Sequence, residues 1–479
     1  MTRSGRWVAA CVAIALALRV AFALAYWVGQ PLTHDEREYL ALARNIARGE
    51  GFRYPADEPS PGTAQQFGRA PGYPLFLAAL RVTAPADHAP RRVQIAQACV
   101  GALGVWLIAS IAGRAAGPRA ACVAAAVAAV YPPLIFMPAY VLSETLYSTI
   151  ALAAARVLQE VGGWKLEAGE TPIAATSGLE PRDSDLPSRT SHVAPRTSDL
   201  APRTSPLAPR PSPLVPRPAL PVGAVLTGLA ILTRPAMLFF LPFAVAWLVW
   251  RTRHRSPTTG LVRAAVFVAV ALACVAPWTI RNHRVYGRWI AVASEGGVTF
   301  WTGNHPLAVG DGDLAANLEL KRAELAFRAS HPDLSAEQLE PFYYRDALSW
   351  IRRDPVAWLA LMARKAFYCV VPIGPSYALH SPRYRAASAL SYLLVLSAAL
   401  VGAWRWRAAV RPRADQTSGR DAEDMAAVDY GPSPAPLWLL AAATVAAGLV
   451  FFPQERFRLP VIDPALIVTA ALPAGLRKR

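Results

Sequence analysis

The sequence predicts an all-α polytopic membrane protein of about ten transmembrane helices, with two outward-facing loop regions that carry juxtamembrane helices. Three observations predict it. The 479 residues are 54% hydrophobic and only 17% charged, whereas a soluble chain carries about 25% charged residues. The apolar residues gather in blocks of up to about 20, enough to cross a hydrocarbon core of roughly 30 Å; lipid offers backbone groups no partner, so such blocks are helices. Arginines cluster in the short segments between blocks, as the positive-inside rule expects.

That placement also interprets the net charge of +17. In a soluble chain such a charge suggests nucleic acid. Here it follows membrane orientation, no nucleic-acid motif accompanies it, and membrane lipids are the expected surroundings. Cys11, Cys99, Cys122, Cys274 and Cys369 all lie in or beside apolar stretches without a CxxC pair. They read as small buried residues rather than a disulfide framework or zinc site.

The elements follow in order. Residues 1–160 form an N-terminal membrane module of four spans. The first, Trp7 to Val28, follows Arg3 and Arg6, lacks a convincing cleavage site, and reads as a retained span running outward from the cytoplasm. The first extracytoplasmic loop, 29–92, holds a helical stretch from Glu36 to Arg48 and the turn-rich Arg69-Ala70-Pro71-Gly72-Tyr73-Pro74. Leu75 to Val82 is too short to span and is expected along the outer surface. Span two is Val93 to Gly113, span three Ala120 to Met137, and span four Ser143 to Leu158.

Residues 161–218 form a Pro/Arg/Ser-rich cytoplasmic linker. Arginine recurs every seven residues from Arg182 to Arg217, but a proline in nearly every unit excludes a coiled coil. The segment reads as disordered and extended, a tolerated repeat expansion more than a headgroup-binding device. Residues 219–278 carry span five, Leu220 to Leu232; span six, Ala236 to Trp250; and span seven, Leu261 to Trp278. Residues 279–385 are the second extracytoplasmic region, with a polar helix around Leu314 to Ala329. Its apolar block Val356 to Val371 is interrupted by Arg364 and Lys365. Counting it as a span would put Arg405, Arg407, Arg411 and Arg413 outside, so it reads as an interfacial helix. Residues 386–479 carry span eight, Ala386 to Trp404; span nine, Leu437 to Phe452; and span ten, Leu459 to Leu476. Arg477-Lys478-Arg479 then closes the chain on the cytoplasmic side.

Under this topology, acids and arginines from distant parts of the chain reach one outer face. Asp35 and Glu36 follow span one, Arg69 ends the first loop, and Glu144 starts span four. Arg234 marks an outer corner, Arg281 and Asn282 follow span seven, and Arg456 and Arg458 lie between spans nine and ten. Such a set suits a site that deprotonates an acceptor and holds a phosphate. Each residue also has a plainer reading. Asp35 and Glu144 can cap the helices they begin. Arg456 and Arg458 can snorkel to headgroups or grip phosphate oxygens bidentately. His34, His283, His305 and His331 show no metal-ligand spacing. Two outward acids offer oxygen ligands to a divalent cation, but the sequence establishes no metal.

On these residues the chain resembles the C-type glycosyltransferase superfamily, in particular its family-39-like branch, related to protein O-mannosyltransferases and the lipid A aminoarabinose transferase. The matching pieces are Asp35-Glu36-x-x-Tyr39 with Gly49-x-Gly51-Phe52, and Arg69-x-Pro71-Gly72-Tyr73-Pro74. Leu142-Ser143-Glu144 and Leu232-Thr233-Arg234-Pro235 follow, then Pro277-Trp278-x-x-Arg281-Asn282, Gly303-Asn304 and Glu455-Arg456-Phe457-Arg458-Leu459-Pro460. Each is weak alone, but they stand in the family's order across nearly the whole chain.

The resemblance implies a multi-pass protein of the plasma (inner) membrane whose active site faces the periplasm or exterior. It implies a polyprenyl-phosphate sugar as donor and a glycan, lipid or protein as acceptor. Asp35 matches the first-loop acid of such enzymes; Glu144 falls where relatives often carry aspartate. The implied chemistry is inverting transfer, with Asp35 as general base and Glu144 positioning the acceptor, Asp35 or a metal ion. The implied substrate-binding residues are Glu36, Tyr39, Arg69, Tyr73, Arg234, Arg281, Asn282, Arg456 and Arg458. The main rival is a flippase or transporter of a lipid-linked glycan, which would place its site near mid-bilayer and often show inverted repeats. No such repeat is visible among the spans.

Overall fold

Helices build every named element among the described residues of the computed structural model, which are 2–54, 68–82, 87–161, 219–253, 257–312, 314–375, 380–410 and 433–476. The repeat of 182–217, Arg411, Arg413 and the closing 477–479 lie outside them.

The chain is a multi-pass membrane protein. Five helices are long and apolar enough to cross a bilayer: Arg3–Tyr26, Arg91–Ala116, Pro235–Thr252, Thr258–Tyr286 and Pro382–Ala409. A sixth crossing is Pro118–Val130 with Pro132–Ala139, if that bent pair acts as one. Each of the other expected spans has a helix, but not of that kind. Ala219–Thr233, Ala435–Val450 and Ile462–Gly475 are shorter apolar helices. At 1.5 Å per residue, about 15 residues cover only about 22 Å of a roughly 30 Å core. Glu144–Val161 is long enough but carries Glu144, Arg156 and Glu160.

Three details refine the expected elements. Span three is broken by 63°. Tyr131 is extended, as a residue before proline prefers, and Pro132 restarts the helix from its first turn. The stretch expected along the outer surface, Leu75 to Val82, falls largely in the helix Gly72–Ala79. The helix Pro355–Val370 does not present Lys365 to water: the side chain is fully buried, and its Nζ donates to Asn304 Oδ1 (3.2 Å) and the Leu449 carbonyl (3.0 Å). The helix Ala336–Arg353, with its Ser335/Gln338 capping box, went unread in the sequence.

Small residues set the packing. The helix Pro118–Val130 buries Ala120, Ala124, Ala125, Ala128 and Ala129, a face that lets neighbouring backbones approach closely. Arg19, inside the first span, is buried within the protein rather than in lipid and donates to the Ala15 carbonyl at 2.9 Å. At the end of the helix Gly296–Gly303, a Cβ at Gly303 would lie 1.9 Å from the Phe451 carbonyl oxygen, so only glycine fits there.

Candidate active site

The first loop is pinned before it contributes any chemistry. Thr33 and Glu36 form a reciprocal capping box at the start of the helix His34–Ala47. Glu36 Oε2 accepts from Thr33 N (2.7 Å), while Oε1 accepts from Val141 N (2.8 Å). Glu36 therefore fixes the loop helix to the corner ahead of Glu144, and its carboxylate is committed to backbone. Tyr39 meets Tyr73 edge-on at 4.9 Å, and Tyr73 donates to Gln97 Oε1 at 2.9 Å. A Cβ at Gly72 would lie 2.7 Å from Thr233 Oγ1, so this glycine lets the first loop close against the residue preceding Arg234.

This packing opens a cavity of about 590 Å³ lined by Asp35, Tyr39, Arg69, Glu144, Arg234, Arg456 and Arg458. Seven of the sequence-predicted residues thus share one space. Leu238, Phe239, Val445 and Phe451 give it an apolar wall. Glu36, Tyr73, Arg281 and Asn282 do not line it. Arg281 donates to the Phe52 carbonyl (3.3 Å) and to Asn282 Oδ1 (3.1 Å), and stacks over Trp278. Asn282 holds the Ile290 carbonyl at 3.0 Å. This pair fastens the second outer region to the first loop.

The charges inside are organised in ion pairs. Asp35 Oδ1 accepts from Arg69 Nη2 (2.6 Å), and Oδ2 from Arg456 Nη1 (2.5 Å). Arg69 also donates through Nε to Glu38 (2.8 Å), lies 3.5 Å from Glu295 Oε1, and sits over the Tyr39 ring. Burial alone would raise the Asp35 pKa, but Arg69 and Arg456 outweigh it and hold the carboxyl well below the usual range. Glu295 is shifted the opposite way: burial raises it, Arg69 counters, and Glu38 and Asp35 add to the rise. Glu144 Oε1 pairs with Arg234 Nη1 at 2.7 Å, while its Oε2 is buried and accepts no hydrogen bond. Glu455 repeats the pattern, with Oε1 accepting from Ser388 and a buried Oε2 without a partner. Arg458, which also lines the cavity, pairs with the buried Asp463 at 2.8 Å and stacks on Tyr392.

Glu38 and Glu295 were not singled out in the sequence, and Glu455 stood in the last motif without being named as a site residue. Glu38 carried a usable signal, since positions 35, 38 and 39 share one helical face. Glu295 carried none. It reaches Arg69 only because residue 68 is glycine: a Cβ there would lie 2.2 Å from Glu295 Oε1.

His34, Asp35 and Glu38 bring one potential metal-ligand atom each within 4.8 Å of one another. Asp35 and Glu38 are both already taken by Arg69, however, so a cation would have to displace a guanidinium and then sit beside it. This donor set does not fit a divalent ion as arranged.

No protein-family model matches the chain, and no curated protein matches it. Solved structures do. The archaeal oligosaccharyltransferase AglB from Archaeoglobus fulgidus, in complex with an inhibitory peptide and a dolichol-phosphate, aligns over 97% of this chain at 13% identity and a TM-score of 0.49. The chain spans half the length of that protein, 50%. ArnT from Cupriavidus metallidurans bound to undecaprenyl phosphate aligns over 99% of this chain and 77% of its own, at 15% identity and a TM-score of 0.40. At these scores and identities, function has to be argued from the chain's own residues.

Proposed function

We propose that the chain is a membrane glycosyltransferase that moves a sugar from a polyprenyl-phosphate donor to an acceptor at the outer face of the plasma (inner) membrane. The observation that carries this reading is the shared cavity: two acids, Asp35 and Glu144, face it together with arginines, beside an apolar wall suited to a lipid chain.

In this reading the acceptor hydroxyl gives its proton to Asp35 as its oxygen bonds to the anomeric carbon. The bond from that carbon to the phosphate oxygen breaks, and polyprenyl phosphate leaves with the electron pair. Arg456 and Arg69 offset the growing phosphate charge. Attack from the side opposite the phosphate inverts the anomeric centre. Glu144, held by Arg234, offers its unpartnered oxygen to a substrate hydroxyl. Tyr39 keeps Arg69 in place through its ring.

The test is donor turnover. Purified protein in nanodiscs is given a panel of polyprenyl-phosphate sugars, and release of polyprenyl phosphate is measured. In parallel, mass spectrometry compares surface glycans and glycolipids of a deletion strain. Turnover of one donor and loss of one sugar from a lipid, polysaccharide or protein would identify donor and acceptor together. No turnover, with a complete lipid-linked glycan accumulating on the inner leaflet, would replace this reading with the transport alternative.

A further inference from the structure

Every arginine lining the cavity already has a carboxylate: Arg69 and Arg456 share Asp35, Arg234 has Glu144, and Arg458 has Asp463. Around Arg69 and Arg456 the account is negative. Two guanidinium groups face three carboxylates, Asp35, Glu38 and Glu295. Even with Glu295 neutral, no positive charge is left over for an incoming phosphate.

The two arginines are not equivalent. Arg69 is held by three acids and its side chain is 16% exposed. Arg456 is joined to one acid, and its side chain is 40% exposed. Its other contacts are weaker: Nε donates to the Gln454 amide oxygen at 2.9 Å, and the group lies near the Phe457 ring.

Resting on the proposed transferase reading, we infer that the donor phosphate enters by exchanging with Asp35 at Arg456, so that donor binding uncovers the carboxylate which the acceptor then meets. Without donor, Asp35 has a guanidinium on each oxygen, and both pairs oppose its taking a proton from an acceptor hydroxyl. With donor bound, Arg456 turns to the phosphate, Asp35 keeps only Arg69, and one oxygen faces the acceptor. The result is a compulsory order, donor first, which keeps the base covered in the empty site. Charge-assisted pairs of this geometry are strong enough for such competition to be measurable.

The test uses the full chain in phosphatidylcholine nanodiscs, titrated with undecaprenyl phosphate that carries no sugar. Asp35→Asn removes the competitor, so this variant should bind about tenfold more tightly than wild type, and Arg456→Gln about tenfold more weakly. Equal or weaker binding by Asp35→Asn, with unchanged elution and melting temperature, overturns the exchange while leaving the transferase reading intact. No binding by wild type removes both. If the Asp35 variant does not fold, wild type decides. Lipid phosphate should protect Arg456 from phenylglyoxal and increase carbodiimide coupling at Asp35, both mapped by mass spectrometry. Protection of Asp35 together with Arg456 overturns the exchange.

Discussion

Arg456 and Arg458 stand two residues apart on one four-residue helix, Glu455–Arg458, and lead opposite lives. Arg456 reaches back to the first loop, pairs with Asp35 and keeps a side chain 40% exposed. Arg458 turns inward to Asp463, which also accepts from Tyr131 at the break in the third span. The residue types are the same, but Arg456 holds its pair with a side chain 40% exposed, whereas the Arg458–Asp463 pair is buried. A pair with an exposed partner can be exchanged for a ligand. A buried pair cannot be opened without leaving an uncompensated charge in a dry interior.

The largest expected effect falls on the cavity side. Asp35→Asn should lower donor turnover by about 10²- to 10⁴-fold, the range removed with a general base, while the protein still inserts and elutes as wild type. Near-normal turnover would remove Asp35 from the proton step. Breaking the other pair should do the reverse. Arg458→Ala should destabilise the protein by about 3–5 kcal/mol, as loss of one partner in a buried pair does. Arg456→Ala should leave the melting temperature nearly unchanged and weaken lipid-phosphate binding. Equal melting losses in the two variants would dissolve the contrast.

A third prediction separates Asp35 from its neighbour. Asp35 lies well below the usual carboxylate range, so its ion pairs persist to acidic pH, and their stabilisation is lost only as pH falls below the unfolded value near 3.9. It is therefore not the group titrating on the acid limb of kcat/KM above pH 5. We predict that Glu295, whose carboxyl pKa burial raises, is that group. Glu295→Gln should flatten the limb; an unchanged profile would point to another acid.

The smallest effect concerns a buried lysine with no carboxylate partner among the described residues. Burial lowers the Lys365 pKa to about 7. Between that value and about 10.4 the unfolded chain binds the extra proton, so stability should rise with pH by at most about 1.4 kcal/mol per unit. Comparing melting temperatures from pH 7 to 9 for wild type and Lys365→Met reads this out. The variant should lose that part of the slope, and parallel curves would mean that the Asn304 and Leu449 oxygens keep the lysine charged.

Much of the architecture was legible in the chain, because apolar blocks and arginine clusters are local properties that a bilayer reads directly. Each expected span has a helix, yet only five or six are long and apolar enough to cross alone. Block length marks where a helix lies, not whether it crosses the core. Asp35, Tyr39, Arg69, Glu144, Arg234, Arg456 and Arg458 stood out in sequence as acids, arginines and a tyrosine in an ordered set of motifs, and all seven line the cavity. Glu36, Tyr73, Arg281 and Asn282 belonged to the same motifs but hold the scaffold. A motif records which residues occur together, not which way each one faces.

By itself, then, the sequence determined a multi-pass helical protein with its acids and arginines at loop–helix boundaries, since hydropathy, charge spacing and proline placement act within a few residues of where they are written. Only the tertiary structure decided which arginine meets which acid. Asp35 and Arg456 are separated by 421 positions. Their contact brings a capped loop helix, His34–Ala47, against the short helix Glu455–Arg458 between the last apolar helices. Electrostatic partnership is a property of distance in space, which no spacing along the chain encodes.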